Sequence, residues 1–205
     1  MSIRSLLAVA ALGCTVVATS DLSAQTADSS LARTRIDQNH RWEFLATTGA
    51  VVPTGAQRNA IKSGNLSAAQ LTYVVRPALA VTATVGWART RDVASNGDPK
   101  LDAFTYDVGA ELRSNRWSSG ETVTFRPFAG AGAGARSYNY RSLDVDATHN
   151  LAAYGSMGGE LGVRRVALRI EARDYVTGFK PLVGGGAADT RNDVVLMAGL
   201  RITTQ

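Results

Sequence analysis

Few residues in this chain are suited to chemistry. Its 205 residues hold two histidines, His40 and His149, and one cysteine, Cys14. A histidine set between a serine and a carboxylate could act as general base in acyl transfer. His149 with Asp144 or Asp146 is the only seed of such an arrangement. His40 precedes the first structural element expected below and His149 opens the sixth, so the two fall at opposite ends and cannot share a metal or a triad. Each reads as a surface or interface histidine. Asp144-x-Asp146 by itself is a weak cation site and reads better as a solvated loop. No catalytic residue, metal or cofactor is assigned, and the chain is read as a non-enzyme.

The strongest constellation is made of charges. Glu43, Asp107, Glu111, Glu160 and Glu171 recur with Arg113, Arg126, Arg164, Arg169, Arg173 and Arg201 at positions that alternate with apolar residues. The basic residues are 19 Arg and only 3 Lys. Arginine suits fixed, partly buried pairing with carboxylates, whereas lysine is more strongly hydrated. Lys62, Lys100 and Lys180 all fall in segments that read as loops. The net charge of +5 raises the question of nucleic acid. The arginines are scattered, however, and no basic run interleaves with aromatics, so nucleic acid is not expected as a partner.

A second candidate is PFAGAGAGARSY, residues 127–138, in which Gly and Ala alternate strictly from Gly130 to Ala135. A dinucleotide-binding loop needs G-x-G-x-x-G between a strand and a helix. Here Ala135 stands at the third glycine and no helix follows. The alternation instead continues a strand. Arg126, Phe128, the three glycines and Arg136 share one face; Phe125, Pro127 and the alanines share the other. The glycines read as room for neighbouring Arg and Glu side chains. Pro127 predicts a bulge or an early break in the ladder.

The elements that must carry these residues follow a period of two. In Leu101 to Arg113, Phe104, Tyr106, Val108, Ala110 and Leu112 lie on one face, opposite Thr105, Asp107, Gly109, Glu111 and Arg113. That is a half-apolar strand. The same pattern predicts eight strands, at 41–52, 66–76, 79–90, 102–113, 122–136, 149–163, 166–177 and 192–204. Each is long enough to cross a bilayer at a tilt, which takes roughly 9–11 residues. Long connections (53–65, 91–101, 137–148, 178–191) alternate with short ones around Pro77, 114–121 and Arg164–Arg165. Trp87, Phe104, Tyr106, Tyr138, Tyr140, Tyr175 and Phe179 cluster at the long-loop ends, and Trp42 and Trp117 at the other, as two girdles would.

The N-terminus reads as a separate segment. Arg4 precedes an apolar stretch, Leu6 to Ala18, and then small residues, which predicts a cleaved signal peptide over 1–24. A cut after Ser20 is the alternative to Ala24. Ala11–Leu12–Gly13–Cys14 is a poor lipidation box, because its order is reversed and apolar sequence continues past the cysteine. Residues 25–40 read as a short polar leader and 41–205 as one barrel domain. The mature chain would hold no cysteine, so no disulfide.

With these strands, the signal segment, RPFAGAGAGAR and ARDYVTGF, the chain resembles the small eight-stranded outer-membrane proteins of the OmpA transmembrane-domain and OmpX type. It departs from them in ending Arg201–Ile202–Thr203–Thr204–Gln205 rather than on an aromatic residue. The resemblance implies an all-β, eight-stranded antiparallel up-and-down transmembrane barrel in the outer membrane of a double-membraned bacterium. It further implies a monomer in contact with outer-membrane lipid and assembled by the barrel-assembly machinery. The expected role is structural or surface-interacting, through an unknown extracellular partner at the four long loops. The charge set would fill the lumen, because eight strands enclose little more than side chains. A narrow gated channel and a soluble lipocalin-like binding barrel are the alternatives.

Overall fold

The computed structural model describes residues 42–119, 123–141, 143–179 and 189–204. The expected signal peptide and leader, with Cys14 and His40, lie outside the described residues, as do Lys180 and Gly184–Gly186. The strands are β1 (Trp42–Thr54), β2 (Gly64–Arg76), β3 (Leu79–Arg91), β4 (Lys100–Arg113), β5 (Trp117–Ser119), β6 (Val123–Tyr140), β7 (Thr148–Val163), β8 (Val166–Phe179) and β9 (Asp189–Thr203). Their order is β4-β3-β2-β1-β9-β8-β7-β6, and β4 also pairs with β6. The sheet therefore closes on itself as an eight-stranded antiparallel barrel, with β5 a short addition at the foot of β6. Closure leaves no unpaired edge along the wall.

The side-chain alternation sorts the residues cleanly. Along β3 the burial alternates residue by residue, with Ala80, Thr82, Thr84, Ala88 and Thr90 inside and Val81, Val85 and Trp87 outside. The exterior is an apolar belt: Phe44, Val85, Val108, Leu112, Leu151, Met157, Ile170, Leu196, Leu200 and Ile202 are all more than half exposed. The charges lie inside. A water-soluble barrel has the opposite arrangement.

Strand β6 runs four residues beyond the expected end at 136. Tyr138 and Tyr140 continue its inward alternation and pair with Ala103 and Leu101 of β4, so the ladder has apolar reason to continue. Pro127 makes no bulge against β7, where it faces Gly159 in regular register. On its other side β4 stops at Arg113 opposite Phe128, and pairing resumes only with Trp117 opposite Phe125. The proline carbonyl accepts from Ser114 N–H at 3.0 Å in that gap. The proline thus sits where the ladder breaks, and its missing donor falls on the interrupted side.

The aromatic expectation is corrected in part. Trp87, Phe104 and Tyr106 face outward at the long-loop end, and Trp42 and Trp117 do so at the short-turn end. Tyr138, Tyr140, Tyr175 and Phe179 are buried and point into the barrel. They lie on the inward register of β6 and β8, so they belong to the core rather than to a girdle. The first long connection also turns inward. Its 3-10 turn, Gly55–Asn59, with Ala60 and Ile61 seats buried Gln57, Ala60 and Ile61 in the mouth of the barrel.

Candidate functional site

Alternation along six strands brings one charge after another to the same interior wall. Ten of the eleven residues singled out in the sequence are buried there: Glu43, Asp107, Glu111, Arg113, Arg126, Glu160, Arg169, Glu171, Arg173 and Arg201. They form one connected lattice. Arg113 binds Glu43 at 2.7 Å and Glu111 at 2.5 Å. Arg169 joins three carboxylates, Glu111 at 2.5 Å, Glu171 at 2.8 Å and Glu160 at 3.0 Å. Glu160 also receives Arg126 at 2.8 Å and Arg201 at 3.1 Å, and Arg201 returns to Glu43. Arg173 carries the lattice upward, to Glu171 at 2.5 Å and Asp107 at 3.2 Å.

The lattice balances: five carboxylates face five guanidinium groups, and each has at least one partner of opposite sign. Balance is what burial demands, since a buried charge stripped of its partner costs several kcal/mol. Neutral groups complete it. Tyr175 donates its hydroxyl to Asp107 at 2.7 Å, and Arg173 donates to Gln70 at 2.5 Å.

Arg164 is not part of the lattice. The hairpin between β7 and β8 closes at Val163 opposite Val166, and Arg164 lies in its two-residue turn with φ of 56°. That left-handed backbone sends the side chain to solvent instead of continuing the inward row below Glu160.

Aromatic rings bed the guanidinium groups. Arg169 lies 3.5 Å above the Phe128 ring and Arg173 lies 4.8 Å from the Tyr154 ring centre. The glycines explain why those rings fit. A Cβ on Gly132 would stand 2.6 Å from Tyr154 Cε1, one on Gly109 2.2 Å from the Tyr154 hydroxyl, and one on Gly158 2.4 Å from Phe128 Cζ. Gly109, Gly132 and Gly158 therefore make room for rings, and the rings carry the arginines, whereas Gly130 and Gly134 abut backbone carbonyls of β4. For Gly132 the expectation that it makes room directly for Arg and Glu is corrected by one intervening layer.

Two buried polar clusters were not readable from the sequence. Arg136 pairs with Asp193 and lies 4.4 Å from the Tyr175 ring centre. The sequence placed Arg136 inward but offered no partner. Asp92, fully buried in the second long connection, accepts from Ala94 N–H at 2.9 Å, Ser95 Oγ at 2.7 Å and Tyr140 Oη at 2.6 Å. Asp followed three residues later by Ser is a recognisable local turn signal.

His149 has a serine beside it after all: Ser137 Oγ lies 2.6 Å from its Nδ1. The two are directly paired on the outer face of β6 and β7. Neither Asp144 nor Asp146 makes a described contact with His149. Among the described residues no group of three His, Cys, Asp or Glu side chains could hold a metal ion.

No family model matches the chain, and no curated protein matches it in sequence. Solved structures do match it in fold. Neisserial surface protein A superposes with a TM-score of 0.59 at 13% identity, covering 80% of this chain and 97% of that one. E. coli outer membrane protein W covers 81% of this chain and 100% of its own at 17% identity, with a TM-score of 0.49. At these identities the likeness speaks to architecture alone. The chain has the fold of the small eight-stranded outer-membrane β-barrels.

Proposed function

We propose that the chain is a non-enzymatic outer-membrane protein with an envelope structural or surface-interaction role. The observation that carries this reading is the inversion of ordinary burial. Leu151 is 87% exposed and Met157 69%, whereas Arg169 is 1% exposed. Soluble monomers rarely leave contiguous apolar patches beyond a few hundred Å², and here the apolar belt runs round the barrel. A bilayer is the solvent that suits it.

In this reading residues 1–24 direct export and are removed, 25–40 form a leader, and the barrel-assembly machinery inserts 41–205 as a monomer. The charge lattice plugs the lumen and fixes the register of the wall. The connections 53–65, 91–101, 137–148 and 178–191 meet the outside and any partner there. Cell fractionation with gel migration before and after boiling tests the proposal. It expects recovery in the outer membrane and a heat-dependent shift in mobility; recovery from the soluble periplasm would overturn it. In planar bilayers no steady conductance is expected. A conductance abolished by Glu111→Ala or Arg169→Ala would replace the plug with a gated channel.

A further inference from the structure

At the long-loop end the described exterior carries a charged feature that the lumen lattice does not explain. Four cations stand side by side at the long-loop end of the wall. Arg91 of β3 is the direct cross-strand partner of Lys100 of β4. Lys62 donates its backbone N–H to the Arg91 carbonyl at 2.9 Å, and Arg141 donates to the Lys100 carbonyl at 3.0 Å. Lys62, Arg91, Lys100 and Arg141 therefore occupy adjacent backbone segments in one lateral row. Segments spaced about 5 Å apart hold them within roughly 15 Å. Lys62, Arg91 and Lys100 are exposed. Among the described residues Asp102, 3.1 Å from Arg141, is the only carboxylate bridged to the row. Like charges placed directly opposite each other across two strands repel, so the row is poorly arranged for the free protein and well arranged for an anion.

The residues below the row place it relative to a bilayer. Two positions nearer the middle of β3 than Arg89, Trp87 faces outward and stacks on Phe104, 6.5 Å between centroids and 10° between planes. Arg89 lies 4.2 Å above the Trp87 ring. Outward tryptophans of this kind sit at headgroup level, between acyl chains and water. The cation row lies two residues beyond Arg89 and four beyond Trp87, about 13 Å along the strand from the tryptophan. Among the described residues the opposite flank of the barrel shows no such row. At the same end of β8 and β9 the outward residues are Asp174, Val176, Gly178, Thr190, Asn192 and Val194.

We propose that this row binds the phosphate groups of an anionic lipid in the leaflet that meets the long loops, with the acyl chains lying on the Trp87, Phe104 and Tyr106 surface. The site takes a phosphorylated headgroup, because the cations lie in line and continue onto an apolar shelf. The inference rests on the membrane-spanning reading above.

The test uses the exported, folded protein, its Arg91→Gln/Lys100→Gln double variant, and a control, Arg76→Gln/Arg165→Gln, at the short-turn end. Each is inserted into phosphatidylcholine vesicles and into vesicles containing phosphatidylglycerol, and the anionic lipid retained after detergent extraction is counted by native mass spectrometry. The wild type and the control are expected to retain phosphatidylglycerol, and the double variant to lose about 25-fold in retention, at roughly fivefold per cation. Equal retention by wild type and double variant would overturn the site while leaving the membrane reading intact. Failure of the wild type to insert into either vesicle would overturn both. A soluble polyanion such as heparin that displaces the lipid and binds the lipid-free protein as tightly would overturn the lipid assignment.

Discussion

The two halves of the barrel interior solve the same packing problem with opposite chemistry. The short-turn half is filled by the Glu43–Arg113–Glu111–Arg169–Glu160 lattice and its extensions to Arg126, Arg201 and Arg173. The long-loop half is filled mainly by Val51, Leu66, Leu101, Tyr138, Phe179 and Val195, closed over by Ala60 and Ile61, with the Arg136–Asp193 pair and Asp92 as its buried charged exceptions. Tyr138 meets Phe179 edge-on at 4.8 Å, as aromatic pairs prefer. The charged half is held by directional pairs, each group depending on its neighbours. The apolar half is held by contact area, which tolerates change of shape better than change of size. The charge lattice is therefore expected to fix the register of the wall, and the apolar half to seal it.

That contrast can be broken by substitution, with unfolding by urea in lipid vesicles as the measurement. Arg169→Ala removes the guanidinium shared by Glu111, Glu160 and Glu171, leaves the buried lattice one positive charge short, and should cost about 3–5 kcal/mol, the range for a broken buried ion pair. A loss below about 1 kcal/mol would mean that water already screens the lattice. Leu101→Ala, at a fully buried position of the other half, should cost about 2–5 kcal/mol, but Leu101→Met less than about 1.5 kcal/mol. Glu160→Gln changes size as little as Leu101→Met does. It leaves Arg126, Arg169 and Arg201 short of a charge and should cost about 3 kcal/mol. If the two isosteric changes cost the same, the halves do not differ as described.

Smaller effects probe the layer between them. Gly132→Ala would bring a methyl group to 2.3 Å from the Val108 carbonyl oxygen and 2.6 Å from the Tyr154 ring. Overpacking of this kind costs about 1–3 kcal/mol, and here it should also disturb the bed of Arg173. Arg164→Gly should stabilise by about 1 kcal/mol, because the left-handed turn position suits glycine. It should leave the lattice untouched, as Arg164 has no place in it.

Much of this was legible in the sequence, because a period of two survives wherever one side of a strand meets lipid and the other a crowded lumen. Asp107 and Glu111 could be set inward beside Arg113 from alternation alone. Alternation carries no information about where a strand stops, so Tyr138 and Tyr140 fall in the expected connection 137–148, and Arg164 counts as one more inward charge although it lies in the expected Arg164–Arg165 turn. It also cannot separate a girdle from a core. Tyr138 and Trp87 both sit near the long-loop end, and only the β6 and β3 registers turn one inward and the other outward. Arg136 and Asp193 lie on strands whose pairing is set by closure of the barrel, so their meeting was not readable from either segment.

The inversion of burial can be measured directly. The only cysteine lies at position 14, so single cysteines carrying nitroxide labels can be placed at Val85, Val108, Ile170 and Leu200, which are 54%, 63%, 59% and 57% exposed. In vesicles each label should collide more often with dissolved oxygen, which partitions into lipid, than with a water-soluble nickel chelate. Nickel collisions at these four sites as frequent as at a label on Asn139, at the loop end, would contradict the account.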